Sequence, residues 1–132
     1  MKKRLFLYIG LVTMIISCKG NTKVEVGNKT TMSVNLVYDA GKVIKGETID
    51  AKFIIKNTGD FPLVIGEAKG SCSCTVAEKP EAPINPGEEG VLKAQVTTLS
   101  ANAGIINKSI NIVANTEPSL TTVIVKANVI NK

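Results

Sequence analysis

The chain has 132 residues, with 16 Lys and Arg against 11 Asp and Glu, a formal charge of +5, and neither histidine nor tryptophan. The missing histidine excludes Ser-His-Asp and Cys-His catalysis and every imidazole metal site. Lys2, Lys3 and Arg4 supply three of the basic residues, and the remainder, 13 Lys against 11 acids, is a net +2 with no basic stripe interleaved with aromatics, so nucleic acid is not an expected partner.

Residues 1–17 read as a secretory signal. Lys2, Lys3 and Arg4 form a positive head, and Leu5 to Ile16 form a 12-residue apolar run. A membrane-spanning helix needs roughly 20 such residues, so the run is too short to cross. Ile15-Ile16-Ser17-Cys18 resembles a bacterial lipobox, in which a small residue precedes the cysteine at the cleavage site. The bland alternative is a plain signal peptide with Cys18 as a bystander. In lipoproteins of this pattern the cysteine is lipidated, and two or more acyl chains hold it stably in a bilayer. Cys18 is therefore the expected membrane anchor. Lys19, rather than Asp, follows it, and no acidic cluster succeeds it. By resemblance to known sorting patterns, this places the protein in the bacterial cell envelope, on the outer membrane and facing the periplasm.

Residues 18–31 comprise the lipidated cysteine and a polar tether. Thirteen residues after Cys18 reach at most ~45 Å when extended. Thr22 to Val26 alternates weakly and is a candidate edge strand. Residues 32–132 then follow a period of two. Ser33–Tyr38 is the first expected strand. Thr48–Asn57 is the clearest, with Ile49, Ala51, Phe53 and Ile55 on one face and Thr48, Asp50, Lys52 and Lys56 on the other. Asn57-Thr58-Gly59-Asp60 makes a turn. Leu63–Ala68 and a short Ser71–Val76 are further strands.

Pro80, Pro83 and Pro86 break any ladder across Lys79–Glu89, because proline donates no backbone hydrogen bond. Gly90–Thr98 resumes with Leu92, Ala94 and Val96 inward. Ile106–Ala114 places Ile110 and Ile112 inward. After the turn Asn115–Pro118, Thr121–Ile130 directs Val123, Val125, Ala127 and Val129 to one face. About seven short strands without a helical period predict an all-β, immunoglobulin-like antiparallel sandwich.

Cys72 and Cys74 are the chemically pointed residues of this domain. On an extended strand they share a face with Cα atoms ~6.6 Å apart, so a bond between them needs a local bend. Three readings stand. They are small buried side chains, an oxidised structural pair, or a working thiol site for redox chemistry or Cu(I). Zinc wants four ligands, and two thiolates are too few. Met32 lies far from the pair in sequence, whereas Lys69 and Lys79 flank it. Glu78, Glu81, Glu88 and Glu89 lack the spacing of a calcium loop and read as a solvated face.

Several segments together resemble one bacterial family. They are Gly46–Gly59 (GETIDAKFIIKNTG), Pro62–Ile65 (PLVI), Gly70–Val76 (GSCSCTV), Pro83–Gly90 (PINPGEEG) and Asn115–Pro118 (NTEP). The family is DUF1573, a domain of unknown function, and the resemblance runs from about Val37 to the C-terminus. Its members are often lipoproteins or secreted proteins, and it is similar to the immunoglobulin-like domains of Hydin and the major sperm protein. The resemblance implies the sandwich fold and carries no agreed activity. The expected function is a non-catalytic, lipid-anchored envelope module, without cofactor or metal, that binds or scaffolds a protein or glycan partner. The alternative is a thiol-redox or Cu(I)-handling role for Cys72 and Cys74.

Overall fold

The computed structural model describes residues 27–132. The signal segment, Cys18 and the candidate edge strand Thr22–Val26 lie outside the described residues. Eight strands form two four-stranded sheets. In chain order they are β1 (Met32–Val34), β2 (Val37–Ile44), β3 (Thr48–Asn57), β4 (Ile65–Gly70), β5 (Thr75–Glu78), β6 (Glu89–Thr97), β7 (Gly104–Ala114) and β8 (Leu120–Ile130). One sheet has the order β1-β3-β6-β5 and the other β2-β8-β7-β4.

The alternating pattern determines which faces meet. In β3 every second residue is buried from Ile49 through Asn57, and Phe53 and Ile55 are almost wholly enclosed. Leu92, Ala94 and Val96 of β6 lie beside them, because Phe53 pairs with Leu92 and Ala51 with Ala94. The second sheet supplies Ile110, Ile112, Val123, Val125 and Ala127 to the same core. Each buried Ile, Val, Leu or Phe contributes about 1.5–3 kcal/mol relative to exposure, so this interior is the main stabilising term. Tyr38 meets Phe53 edge-on, with ring centroids 6.2 Å apart.

The expected sandwich is therefore present, with local departures that have identifiable causes. The strand expected over Ser33–Tyr38 divides between the sheets: β1 pairs with β3, and β2 pairs with β8. The crossing falls at Asn35-Leu36, where the Leu36 carbonyl accepts the Ile124 amide at 2.8 Å. The β2–β8 pairing is parallel, within sheets that are otherwise antiparallel. β2 also continues to Ile44 through a register shift between Asp39 and Lys42. Gly41 there adopts φ 67°, a conformation that glycine accepts without steric cost, and its amide is bonded to Asp39 Oδ1 at 2.8 Å. This bulge interrupts the period of two and hides the second half of the strand.

The polar stretch expected as a tether is docked where it is described. Thr30 is buried, its amide donates to the Asn115 carbonyl at 2.9 Å, and it bridges in parallel to Thr116. The domain thus takes in Asn28–Thr31, ahead of the boundary expected at residue 32.

Asn57 organises this end of the sandwich. Its side chain is fully enclosed and uses both ends of the amide. Nδ2 donates to the carbonyls of Phe61 (2.7 Å) and Ile84 (2.8 Å), while Oδ1 accepts from Thr30 Oγ1 (2.9 Å) and the Gly59 amide (3.1 Å). Its backbone binds the proline loop through Glu88 and Gly87. Asn115 does the same for the second sheet, donating to Asn28 and Pro62 carbonyls and accepting from the Val64 amide. At the opposite end, the enclosed Thr98 hydroxyl holds the β2–β3 turn through Glu47 and Gly46.

Asn57→Asp replaces two donors by a carboxylate facing two carbonyls. Urea unfolding at pH 7 is expected to show a loss of about 3 kcal/mol or more. Desolvation and the facing carbonyl dipoles raise the folded-state pKa of this carboxyl above its unfolded value. The ionisation part of the penalty is therefore absent when both states are protonated and grows as pH rises past the unfolded pKa, while the single O–H of the protonated acid still replaces only one of the two donors. Stability measured at pH 4 is expected to recover part of the loss. A pH-independent deficit would contradict the assigned hydrogen bonds.

Candidate functional site

The two sheets end side by side at β4 and β5, and residues 71–74 carry the chain from one edge to the other. Close approach is possible because residue 70 is glycine. A Cβ placed on Gly70 would stand 2.6 Å from both Thr75 Cβ and the Thr75 carbonyl oxygen, too near for any side chain. The connection is secured by backbone bonds. Ser71 N–H donates to the Ser109 carbonyl (2.9 Å), Thr75 N–H to Cys72 (3.1 Å) and Thr97 N–H to Cys74 (3.0 Å).

This geometry corrects the strand expected over Ser71–Val76. Cys72 and Cys74 lie in a turn, and β5 starts only at Thr75. The turn brings their Cα atoms to 5.2 Å, within the range a disulfide accepts, and the two are bonded. Both cysteines are half-buried, between the exposed Ser71 and Ser73 and the buried Thr75. Thr75 Oγ1 lies 3.6 Å from Cys72 Sγ and 3.8 Å from Cys74 Sγ. Disulfide sulfurs carry no proton, so the threonine hydroxyl is the only available donor between them. The turn opens onto a groove of about 500 Å³, lined by Ala68, Lys69, Val76 and Ala77 as well as the turn itself.

Cu(I) binding needs thiolates, so the pair is a metal ligand only after reduction. Met32 adds nothing to it, since β1 and β5 are opposite edges of one sheet. Among the described residues no three His, Cys, Asp or Glu side chains converge on a common point. Glu88 of the proline loop is engaged by Asn85 Nδ2 at 3.0 Å. A second shallow depression, of about 350 Å³, lies on the outer face of β3, β6 and β5. Its charges are mixed: Lys93 stands opposite both Lys52 and Glu78, and Gln95 binds Asp50 at 2.9 Å. Gly70 and Thr75 were not among the expected site residues. Both flank the cysteines within GSCSCT, and their role becomes visible only once the turn is known.

The family model described as a protein of unknown function, DUF1573, matches residues 21–129. It extends further toward the N-terminus than the resemblance beginning near Val37, in keeping with the docked residues 28–31. No curated protein matches the chain in sequence. Among solved structures, a protein of unknown function from Porphyromonas gingivalis W83 is similar at 25% identity and TM-score 0.67, covering 76% of this chain and 47% of that one. The chain thus spans about half the length of that protein. The ASH/PapD-like domain 7 of human CEP192 is similar at 10% identity and TM-score 0.58, covering 79% and 88%. The secreted serine protease VesC of Vibrio cholerae is similar at 10% identity and TM-score 0.58, over 76% of this chain and 23% of the protease. At 10% identity, the latter two show a shared fold alone.

A disulfide enclosing three residues removes little entropy from the unfolded chain, about 1.6 kcal/mol against ~3 for a 15-residue loop. The double variant Cys72→Ser/Cys74→Ser is therefore expected to lose only about 1–2 kcal/mol in urea unfolding, with an unchanged far-UV spectrum. A loss above about 4 kcal/mol would instead make the bond a principal staple of the fold.

Proposed function

The chain belongs to the DUF1573 family, and we propose that it is a non-catalytic, lipid-anchored binding or scaffolding module of the bacterial cell envelope, facing the periplasm. The observation that carries the binding role is the pair of sheet edges, β4 and β5, lying together on one side of the sandwich. An edge strand presents a row of backbone donors and acceptors to which an extended segment can be added. Beside that row β5 exposes Val76, and β4 exposes Glu67 and Lys69. Apolar and charged positions within one strand length suit a protein partner better than a glycan. A glycan is the second class of ligand for this surface.

The anchor reading rests on the sequence around Cys18 and on where the chain joins the domain. The described N-terminal segment docks through Thr30 and Asn28 at the end holding Asn57 and Asn115. The opposite end carries the turn at Lys45–Glu47 and the exposed Leu99 and Ile105. With Cys18 in a bilayer, the Asn57 end is tethered closer to the membrane and the β4–β5 side stays open to periplasmic partners. A catalytic role has little to draw on: the chain has no histidine, and the described carboxylates and cysteines form no convergent cluster.

Two experiments in intact cells test this reading. Wild-type protein is expected to incorporate a clickable fatty acid and to partition with membranes. Cys18→Ser is expected to lose the label and leave the membrane fraction; an unlabelled, soluble wild type would remove the anchor. A photo-crosslinking residue at Val76 of the anchored protein is expected to give a discrete protein adduct, with weaker or none from Glu81 in the proline loop. Background alone from Val76 would remove the binding role assigned to this edge.

A further inference from the structure

We propose that the Cys72–Cys74 disulfide is a reversible redox couple that exchanges electrons with a dithiol protein of the envelope, with Thr75 as the residue that positions and stabilises the sulfur released. Three observations carry it, none of which depends on the binding role assigned to the β4–β5 edge.

The bond is reachable. Both cysteines are half-buried, and Cys72 borders an open groove with exposed Ser71 and Ser73 on either side of it. A thiolate must approach a disulfide sulfur directly, and accessibility is a first condition for exchange.

The turn does not depend on the bond. The Ser71 amide ties the turn to β7 through Ser109, the Thr97 amide ties it to β6 through Cys74, and the Thr75 amide closes it on the Cys72 carbonyl. After reduction the same bonds keep the two thiols adjacent, so the pair re-forms within one chain. The bond also encloses only three residues, which makes it a poor device for stabilising the domain.

Thr75 Oγ1 sits within 3.6–3.8 Å of both sulfurs and is held there by burial. A hydroxyl hydrogen bond to a thiolate is stronger than one to a neutral sulfur, because the acceptor is charged. The hydroxyl therefore favours the departure of a thiolate, and it favours the reduced form where that sulfur stays ionised.

The reaction balances with one partner. A thiolate of the partner dithiol attacks one sulfur of the pair, forming a mixed disulfide as the Cys72–Cys74 bond breaks. The electron pair goes to the released sulfur, which Thr75 hydrogen-bonds and which then takes a proton. The partner's second thiolate attacks the mixed disulfide, freeing the other cysteine as a thiol. The partner is oxidised by two electrons, and this chain is reduced by two electrons and two protons. The reverse sequence oxidises the pair.

The test uses the full chain in detergent with Cys18→Ser, so that only two thiols report. The protein is equilibrated in graded ratios of reduced and oxidised dithiothreitol, then alkylated and weighed by mass spectrometry, with circular dichroism recorded in parallel. The expected result is a reversible two-thiol titration of the folded protein. Thr75→Val is expected to slow reduction and, above the ordinary thiol pKa of about 8.5 where the released sulfur stays ionised, to shift the equilibrium toward the disulfide by about threefold or more, while Thr75→Ser restores both. If Thr75→Val does not fold, Thr75→Ser against Thr75→Ala carries the comparison. Reduction that occurs only together with unfolding would overturn the couple. A threonine series indistinguishable from wild type would overturn the role of Thr75.

Discussion

The amide of Asn57 is the constraint on which one whole end of this protein depends. It is fully enclosed and makes four side-chain hydrogen bonds, to Thr30, Gly59, Phe61 and Ile84. Those partners belong to three segments with no regular structure of their own: the N-terminal arm, the turn after β3 and the proline loop. An apolar residue would fill the space but remove the Asn57 partner of the Phe61 carbonyl, the Gly59 amide and the buried Thr30 hydroxyl, each costing up to about 1–3 kcal/mol, while the Ile84 carbonyl would keep the Leu63 amide. An amide supplies two donors and an acceptor with two lone pairs in one planar group, which matches this demand. Asn115 repeats the arrangement on the other sheet, and the arm at Asn28–Thr31 lies between the two. Hydrophobic burial stabilises the strands, and these two side chains determine how the loops are attached.

The other constraint is the gap between the two sheets at β4 and β5. The sandwich does not close into a barrel, so each sheet has open edges there. Gly70 lets the two edges come together at one point, and the turn with its disulfide bridges them. The chemistry of the cysteines is thus confined to one side, whereas the outer sheet faces carry mixed charges and small cross-strand apolar pairs, Ile54 with Val91 and Val113 with Leu120.

The interior was legible in the sequence because a half-buried strand has a period of two and this chain keeps it. The apolar inward residues of β3, β6 and β8 were readable from alternation, as were Ile110 and Ile112 of β7, whereas Asn57, read as the start of a turn, and Ala114 were not. The crossing at Asn35-Leu36 was not, since β1 and β2 read as one run and nothing local tells a chain to change sheets. The second half of β2 was hidden by Gly41, whose bulge breaks the alternation. The docking of Thr30 was equally hidden: its partners are 27 and 85 residues away, and a threonine in a polar stretch carries no mark of burial. At the candidate site the cysteines were conspicuous but their geometry was not. Extended spacing put their Cα atoms too far apart for comfort, and only the turn, made possible by Gly70, closed the distance to 5.2 Å.

The docked arm has a mechanical consequence. For a chain held through Cys18, any pull between the membrane and a bound partner enters the domain at Asn28–Thr31. The arm runs parallel to the Asn115-Thr116 segment and is fastened to it and to Asn57 by several hydrogen bonds at once. Force along the strands loads these bonds together, in shear, rather than peeling them one by one. The load then passes into β7 and β3, the long inner strands that carry the core. The two asparagines, which hold loops at rest, become under tension the rivets between tether and domain.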